Sequence, residues 1–265
     1  MTKKIICAFS LLLLALSVGF SQDTIVYKRL DTTKLYLEVY RPKDFDQAKS
    51  YPAMVFFFGG GWIGGTRKQF EPHAKYFAQR EIICFLADYR IEKKHKATPF
   101  ESLEDAKSAI RFIRKNAYEL AVDTNKIIAA GGSAGGQLAA ACAMIEKHND
   151  PSDDLSISCI PNALVLFNPV IDNGPGGYGY RRIGEKYKDF SPLHNIKKGN
   201  PPTILFQGTK DHLIPVETVE YFKTVMLRVG NSCSLLLYEG QGHGFFNYRH
   251  TEFYKKTVMA TDRFL

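Results

Sequence analysis

Ser133, Asp211 and His243 lie far apart in this chain, and together they are the residue types that turn an alcohol into a nucleophile. A serine hydroxyl attacks poorly at neutral pH. A neighbouring imidazole must take its proton, and a carboxylate must hold that imidazole in the right tautomer. Ser133 sits in Gly131-Gly132-Ser133-Ala134-Gly135, after the apolar run Ile127-Ile128-Ala129-Ala130 and before a helical pattern from Gln137 to Ile145. Strand, tight turn and helix, with Gly-x-Ser-x-Gly at the turn, predict an elbow that lifts the hydroxyl above a sheet. The glycines are needed because side chains would collide in so tight a turn. Asp211 follows the run Thr203 to Phe206, and His243 follows Ser234 to Tyr238. Both fall at the carboxyl ends of expected strands, the rim where open α/β sheets bind ligands. The order Ser, Asp, His along the chain is the one this arrangement uses.

Acyl transfer also needs N–H donors for the oxyanion of the tetrahedral intermediate. Phe58-Gly59-Gly60-Gly61-Trp62 follows the apolar run Ala53 to Phe58, and bare glycine backbone there can face a ligand. The expected donors are Gly60, Gly61 and Ala134, the residue after the nucleophile. Competing candidates are His212 and His250 for the base and Asp172 for the acid. His212 adjoins Asp211, His250 lies near the start of the last helical pattern, and Asp172 follows the run Ala163 to Phe167.

These residues need elements to position them. Ile25 to Leu30 and Leu35 to Arg41 read as strands, the second with Leu35, Leu37 and Val39 alternating onto one face. Ala53 to Phe58 and Ile82 to Ala87 are solid apolar runs, suited to strands buried on both faces. Leu103, Ala106, Ile110, Ile113, Ala117 and Leu120 step by threes and fours as a helix does. Thr98-Pro99-Phe100-Glu101 supplies its cap, its first-position proline and its capping-box glutamate. Val219, Phe222, Met226 and Val229 form another stripe, and His250 to Leu265 a closing helix. Strands alternating with helices predict an α/β fold with a mostly parallel sheet covered on both faces, its opening pair making an antiparallel edge.

The 265 residues suffice for one large α/β domain, and 45% hydrophobic content is that of a globular protein. Lys3 and Lys4, the apolar stretch Ile5 to Phe20 and the small residues around Ser21 read as an export signal over residues 1–21. The expected mature catalytic domain is then 22–265, periplasmic or secreted, with no stable membrane insertion. It carries 33 basic against 27 acidic residues, a formal charge of +6. The charges are scattered, and the basic run Glu92-Lys93-Lys94-His95-Lys96 reads as a solvated loop, so no nucleic-acid partner is expected. Cys84, Cys142, Cys159 and Cys233 match no zinc spacing, and neither metal nor organic cofactor is called for.

With these motifs assembled, the chain resembles the α/β-hydrolase superfamily, in particular the lipase and esterase branch with a His-Gly-Gly-Gly-Trp loop that includes acetyl and feruloyl esterases. The resemblance runs from about Tyr51 to the C-terminus. Its motifs are Gly59-Gly60-Gly61-Trp62, Ala87-Asp88-Tyr89-Arg90, Asp105-Ala106, Gly132-Ser133-Ala134-Gly135-Gly136, Phe190-Ser191-Pro192-Leu193, Gly208-Thr209-Lys210-Asp211 and Gly242-His243-Gly244-Phe245-Phe246. It implies the α/β-hydrolase fold and Ser-His-Asp hydrolysis through an acyl-enzyme. Phe58 stands where the family's loop opens with histidine, so packing must hold the loop's shape instead.

Only about 28 residues, Asn173 to Asn200, separate Asp172 from the Pro201-Pro202 lead-in to the acid strand, too few for a helical lid. The expectation is a short flexible rim, an open site, and a small-molecule or carbohydrate-borne ester as substrate, with O-acetyl groups favoured. Trp62, Phe245, Phe246, Tyr178 and Tyr180 are the aromatics expected to line an acyl pocket or stack on a sugar. Two other functions remain open at this stage: a serine peptidase of the prolyl-peptidase type, and a binding protein on an inactive hydrolase scaffold.

Overall fold

The computed structural model describes residues 22–265; the export signal expected over residues 1–21 lies outside them. The chain opens with β1 (Gln22–Leu30), paired antiparallel with β2 (Thr33–Tyr40). It continues through β3 (Tyr51–Phe57), α1 (Glu71–Ala78), β4 (Ile83–Ala87), the single turn α2 (Glu92–His95), α3 (Pro99–Lys115), β5 (Val122–Gly132) and α4 (Ala134–Met144). Then follow β6 (Ala163–Phe167), the single turn α5 (Tyr180–Ile183), β7 (Thr203–Gly208), α6 (Val216–Arg228), β8 (Cys233–Tyr238) and α7 (Thr251–Phe264). The eight strands form one sheet in the order β1-β2-β4-β3-β5-β6-β7-β8. β2 pairs antiparallel with β4, and every pair from β4 through β8 is parallel. This is the α/β-hydrolase arrangement, with the antiparallel edge where alternation predicted it.

The period of two along the strands divides the core. Ala53, Val55, Phe57, Phe85, Ile127, Ala129, Leu164, Leu166 and Leu205 face α3, α4 and α6. Met54, Phe56, Cys84, Leu86, Ile128, Ala130, Val165, Phe167, Ile204 and Phe206 face α1 and α7. Each buried Leu, Ile or Phe stabilises this arrangement by roughly 1.5–3 kcal/mol. The α3 capping box forms as read: the Thr98 N–H donates to Glu101 Oε2 at 2.8 Å, and the Glu101 N–H to Thr98 Oγ1. The helix ends at Lys115, short of the expected Leu120, because Asn116 caps it; Leu120 still packs into the core. Cys84, Cys142, Cys159 and Cys233 are buried free thiols.

Parallel pairing in register decides what meets at the rim. Phe57 lies beside Gly131, Gly132 beside Phe167, and Gly208 beside Tyr238. The segments leaving those strands carry Gly59 to Trp62, Ser133, Asn168, Asp211 and His243. One end of one sheet therefore gathers residues from five separate stretches of chain.

Candidate active site

Ser133 joins β5 to α4 with φ 54 and ψ −120, a backbone conformation that a non-glycine residue rarely holds and that costs on the order of 1–3 kcal/mol. The surroundings impose it. The Ser133 N–H donates to the Phe167 carbonyl at 3.0 Å, and the Ser133 carbonyl accepts from Val170 at 3.1 Å and from Gln137 at 3.0 Å. The flanking glycines are required sterically: a Cβ on Gly131 would come within 2.2 Å of the Gly135 carbonyl oxygen, and one on Gly135 within 2.0 Å of that of Phe57. The elbow is thus present, with Ser133 partly exposed at its tip.

Asp211 and His243 meet. His243 Nδ1 lies 2.8 Å from Asp211 Oδ2. The carboxylate is held by three further donors: Gln207 Nε2 at 3.1 Å, and the N–H groups of Leu213 at 2.9 Å and Ile214 at 3.1 Å. Burial pushes the Asp211 carboxyl up, but the hydrogen bonds from His243 and from the Ile214 and Leu213 N–H groups outweigh it and leave the carboxyl below its ordinary range. The acid is ionised where the imidazole needs it.

Ser133 and His243 are not joined directly. His243 Nε2 faces the side-chain amide of Asn168 at 3.4 Å, and no hydrogen bond runs from the Ser133 hydroxyl to the imidazole. They are neighbours through one short path, since the Phe167 carbonyl that receives the Ser133 N–H precedes Asn168. Hydrogen bonds of this kind are often loose without substrate and tighten when it binds.

The competing residues stand elsewhere. His212 is exposed, and His250 is exposed at the start of α7, where its Nε2 accepts from Arg249. Asp172 Oδ1 accepts the Gly174 N–H at 2.8 Å and lies 3.8 Å from His194 Nδ1, in a separate cluster.

The oxyanion loop bends through Gly60 at φ 125 and Gly61 at φ 64. A Cβ on Gly60 would come within 2.1 Å of the Gly64 carbonyl oxygen. Among the described residues, the N–H groups of Gly60, Gly61 and Ala134 donate to no protein acceptor, whereas the Gly59 N–H is taken by Gln69 Oε1 at 2.7 Å. Three free donors beside the elbow serine are what a developing oxyanion needs. Phe58 keeps the loop's shape by packing: its ring stacks on Tyr89 at 4.1 Å, and the Tyr89 hydroxyl donates to the Phe58 carbonyl at 2.6 Å.

Side-chain amides brace this loop against the histidine loop. Gln69 Nε2 donates to Asn247 Oδ1 at 2.9 Å, and Asn247 Nδ2 donates to the Gly244 carbonyl at 2.7 Å. Gln69, Asn168, Gln207 and Asn247 escaped the reading of the sequence. Only Asn168 carried a signal, a polar residue directly after a strand run.

The aromatics require correction. Trp62 has no exposed surface; its indole packs against Tyr178 at 6.0 Å and Phe190 at 5.9 Å. Phe245 and Phe246 are also buried, on the face of the sheet covered by α1 and α7. All three fill core space and offer no surface to a substrate. Tyr178 remains at the rim, half-exposed, with its hydroxyl 2.7 Å from where a Cβ on Gly61 would sit. The rim that read as flexible is tied down: Asn173 Nδ2 donates to the Tyr178 carbonyl at 2.9 Å, and Arg182 Nη1 to the Gly61 carbonyl at 2.5 Å.

Known proteins share this architecture. Residues 37–173, just over half of the chain, match the BD-FAE family model, and residues 173–260 match that of the prolyl oligopeptidase family. Over 260 residues the chain is 30% identical to an isoprenylcysteine alpha-carbonyl methylesterase of Arabidopsis thaliana, covering 86% of this chain and 58% of that protein. The first curated relatives are longer, and the chain spans between 51% and 58% of their length. Among solved structures, Thermogutta terrifontis esterase 2 phosphoramylated by tabun superposes with a TM-score of 0.89 at 43% identity, over 92% of this chain and 93% of that one. The same esterase with propionate bound gives a TM-score of 0.87 at 42% identity, over 92% and 93%. The elbow, the sheet order and these matches agree, and the chain belongs to the BD-FAE family of α/β-hydrolases.

Proposed function

We propose that the protein is an exported serine carboxylesterase that cleaves short acyl esters, O-acetyl groups on carbohydrate among them. The observation that carries this reading is the 2.8 Å Asp211–His243 pair at the sheet rim that bears the strained elbow serine and three unpartnered N–H groups. Ser133 attacks the ester carbonyl while His243 takes its proton. Gly60, Gly61 and Ala134 hold the oxyanion. His243 then gives the proton to the leaving alcohol, and water, activated by the same imidazole, cleaves the acyl-enzyme. Asp211 keeps the imidazole oriented and offsets its charge in the transition state. The propionate-bound relative supports a short acyl group, and the lidless rim supports a bulky alcohol.

Ser133→Ala should lower hydrolysis of p-nitrophenyl acetate roughly 10³- to 10⁶-fold and abolish labelling by a fluorophosphonate. Full activity in the purified variant would end this reading. Rates across acetyl, feruloyl and longer acyl esters, on sugar and simple alcohols, define the substrate. Intact-mass analysis of the secreted protein tests removal of residues 1–21.

The match of residues 173–260 to the prolyl oligopeptidase family favours one alternative, a peptidase. An aminoacyl p-nitroanilide assayed beside the ester separates the two, because amide turnover matching ester turnover would favour the peptidase.

A further inference from the structure

Cations from two distant segments converge around the oxyanion loop. One is Arg182 of α5. Its Nη1 donates to the Gly61 carbonyl, its Cζ lies 5.3 Å from the Trp62 ring centroid, and its Nη2 lies 3.7 Å from where a Cβ on Gly61 would sit. The guanidinium is half-buried, yet among the described residues no carboxylate pairs with it. Arg181, beside it, is exposed and also has no partner among the described residues. α2 is clamped to the same loop: the N–H groups of Glu92 and Lys93 donate to the Trp62 carbonyl at 2.9 Å and the Ile63 carbonyl at 3.0 Å. Lys93 Cδ lies 4.0 Å from the Cβ position of Gly64, and among the described residues its exposed ammonium has no ion-pair partner. The basic run is solvated, as read, while the backbone of its first two residues is bonded to the loop.

The balancing acids are few. Glu185 is taken up by the Tyr180 hydroxyl, Asp172 faces Gly174 and His194, and Glu92 is exposed on α2. Gly176 to Arg182 line a hollow of about 460 Å³. The half-exposed Tyr178, whose hydroxyl donates to nothing among the described residues, lies in this wall. A loop-bracing role accounts for Nη1 of Arg182. It leaves Nη2, Arg181 and Lys93 with no ion-pair partner among the described residues.

We infer that this rim selects esters that carry an ionised carboxylate near the scissile bond, bound by Arg181 and Arg182 with Lys93. The planar guanidinium fork matches a carboxylate, and such charge-assisted bonds are about twice as strong as neutral ones. The inference rests on the ester-hydrolase reading and narrows its substrate class to acidic esters.

The test uses two pairs of esters and reads the ratio of kcat/KM, anionic over neutral, within each pair. p-Nitrophenyl hemisuccinate against p-nitrophenyl butyrate puts the charge on the acyl side. 3-Carboxy-4-nitrophenyl acetate against p-nitrophenyl acetate puts it on the alcohol side. In the double variant Arg181→Gln, Lys93→Gln the ratio should fall at least about fivefold in one pair, and the pair that responds identifies the side. The wild-type ratio should fall in the same pair as salt rises from about 20 mM to about 0.5 M, because screening shortens the reach of the cations. Ratios that agree within about twofold between wild type and variant in both pairs would overturn the inference while the esterase reading stands. Failure to turn over any of the four esters would remove the esterase reading, and the inference with it.

Discussion

Asn168 Nδ2 approaches His243 Nε2 to 3.4 Å while Asn168 Oδ1 accepts the N–H of Gly244, the residue after the histidine, at 2.9 Å. The second bond settles the first, because an amide whose oxygen is committed must present its NH₂ to the imidazole. Nε2 then carries the lone pair and Nδ1 the proton, pointing at Asp211. That is the tautomer a general base needs. One buried asparagine therefore holds the His243 loop and agrees with Asp211 on which ring nitrogen carries the proton.

Replacing it should separate these two effects. Asn168→Ala leaves the Gly244 N–H without its acceptor, which costs about 1–3 kcal/mol of stability and lowers kcat more than it raises KM. Asn168→Asp puts a negative charge beside the imidazole and stabilises its cation. The kcat on p-nitrophenyl acetate should then fall by at least about tenfold, and an unchanged kcat would show that residue 168 does not act on the imidazole.

Asp211→Asn keeps the shape of the pair but offers the imidazole an amide in place of a carboxylate. A loss of kcat of about 10⁴ is expected, measured on p-nitrophenyl acetate. The native Asp211 carboxyl is held below its ordinary range, so its stabilising contribution is present above the unfolded carboxyl value of about 3.9 and fades as pH falls through the lower folded value. Unfolding free energies of wild type and variant should therefore differ by a constant amount well above about pH 4 and converge as pH falls below it.

Gly60 and Gly64 offer a contrast within one loop. Gly60→Ala must hold a side chain at φ 125 and 2.1 Å from a backbone oxygen, whereas the nearest atom to a Cβ on Gly64 is Lys93 Cδ at 4.0 Å. Gly60→Ala should lower kcat by at least about tenfold, comparable to disturbing one oxyanion donor. Gly64→Ala should stay within about twofold, given ordinary surface tolerance.

His73 is fully buried among Phe70, Phe167, Phe246 and Tyr254, and neither ring nitrogen has a hydrogen-bond partner. Burial lowers its pKa to about 3. Below about 6.5 the unfolded chain binds a proton that the folded protein refuses, so stability declines as pH falls through the window from about 6.5 to about 3. The linkage is worth roughly 2–3 kcal/mol at pH 4.5. Urea unfolding of His73→Leu should show a correspondingly flatter fall in stability between pH 7 and pH 4.5; an unchanged slope would show that His73 is not the group responsible.

What the sequence determined by itself was whatever a short window or the chain order encodes. Period-two apolar runs specify strands whichever partners they meet, Thr98 and Glu101 are three residues apart and cap a helix locally, and Gly131 and Gly135 bracket a turn too tight for side chains. The placement of Ser133, Asp211 and His243 at one rim followed from the same logic, because each lies in the loop or turn that leaves a strand and parallel strands end on one rim. Only the tertiary structure decided which polar side chains would meet there and which aromatics would be sealed away. Asn168 reaches His243 across 75 residues and Gln69 reaches Asn247 across 178. Lys93 and Arg182 touch one loop from segments that no local pattern connects. Trp62 and Phe245 carry the same hydrophobicity whether they line a pocket or fill a core. Their fate depends on what packs over them, which is Tyr178, Phe190 and Arg182 for one and Tyr238 and Phe253 for the other. Contacts of that kind exist only once the whole sheet has assembled, because long-range packing, rather than local propensity, chooses the partner.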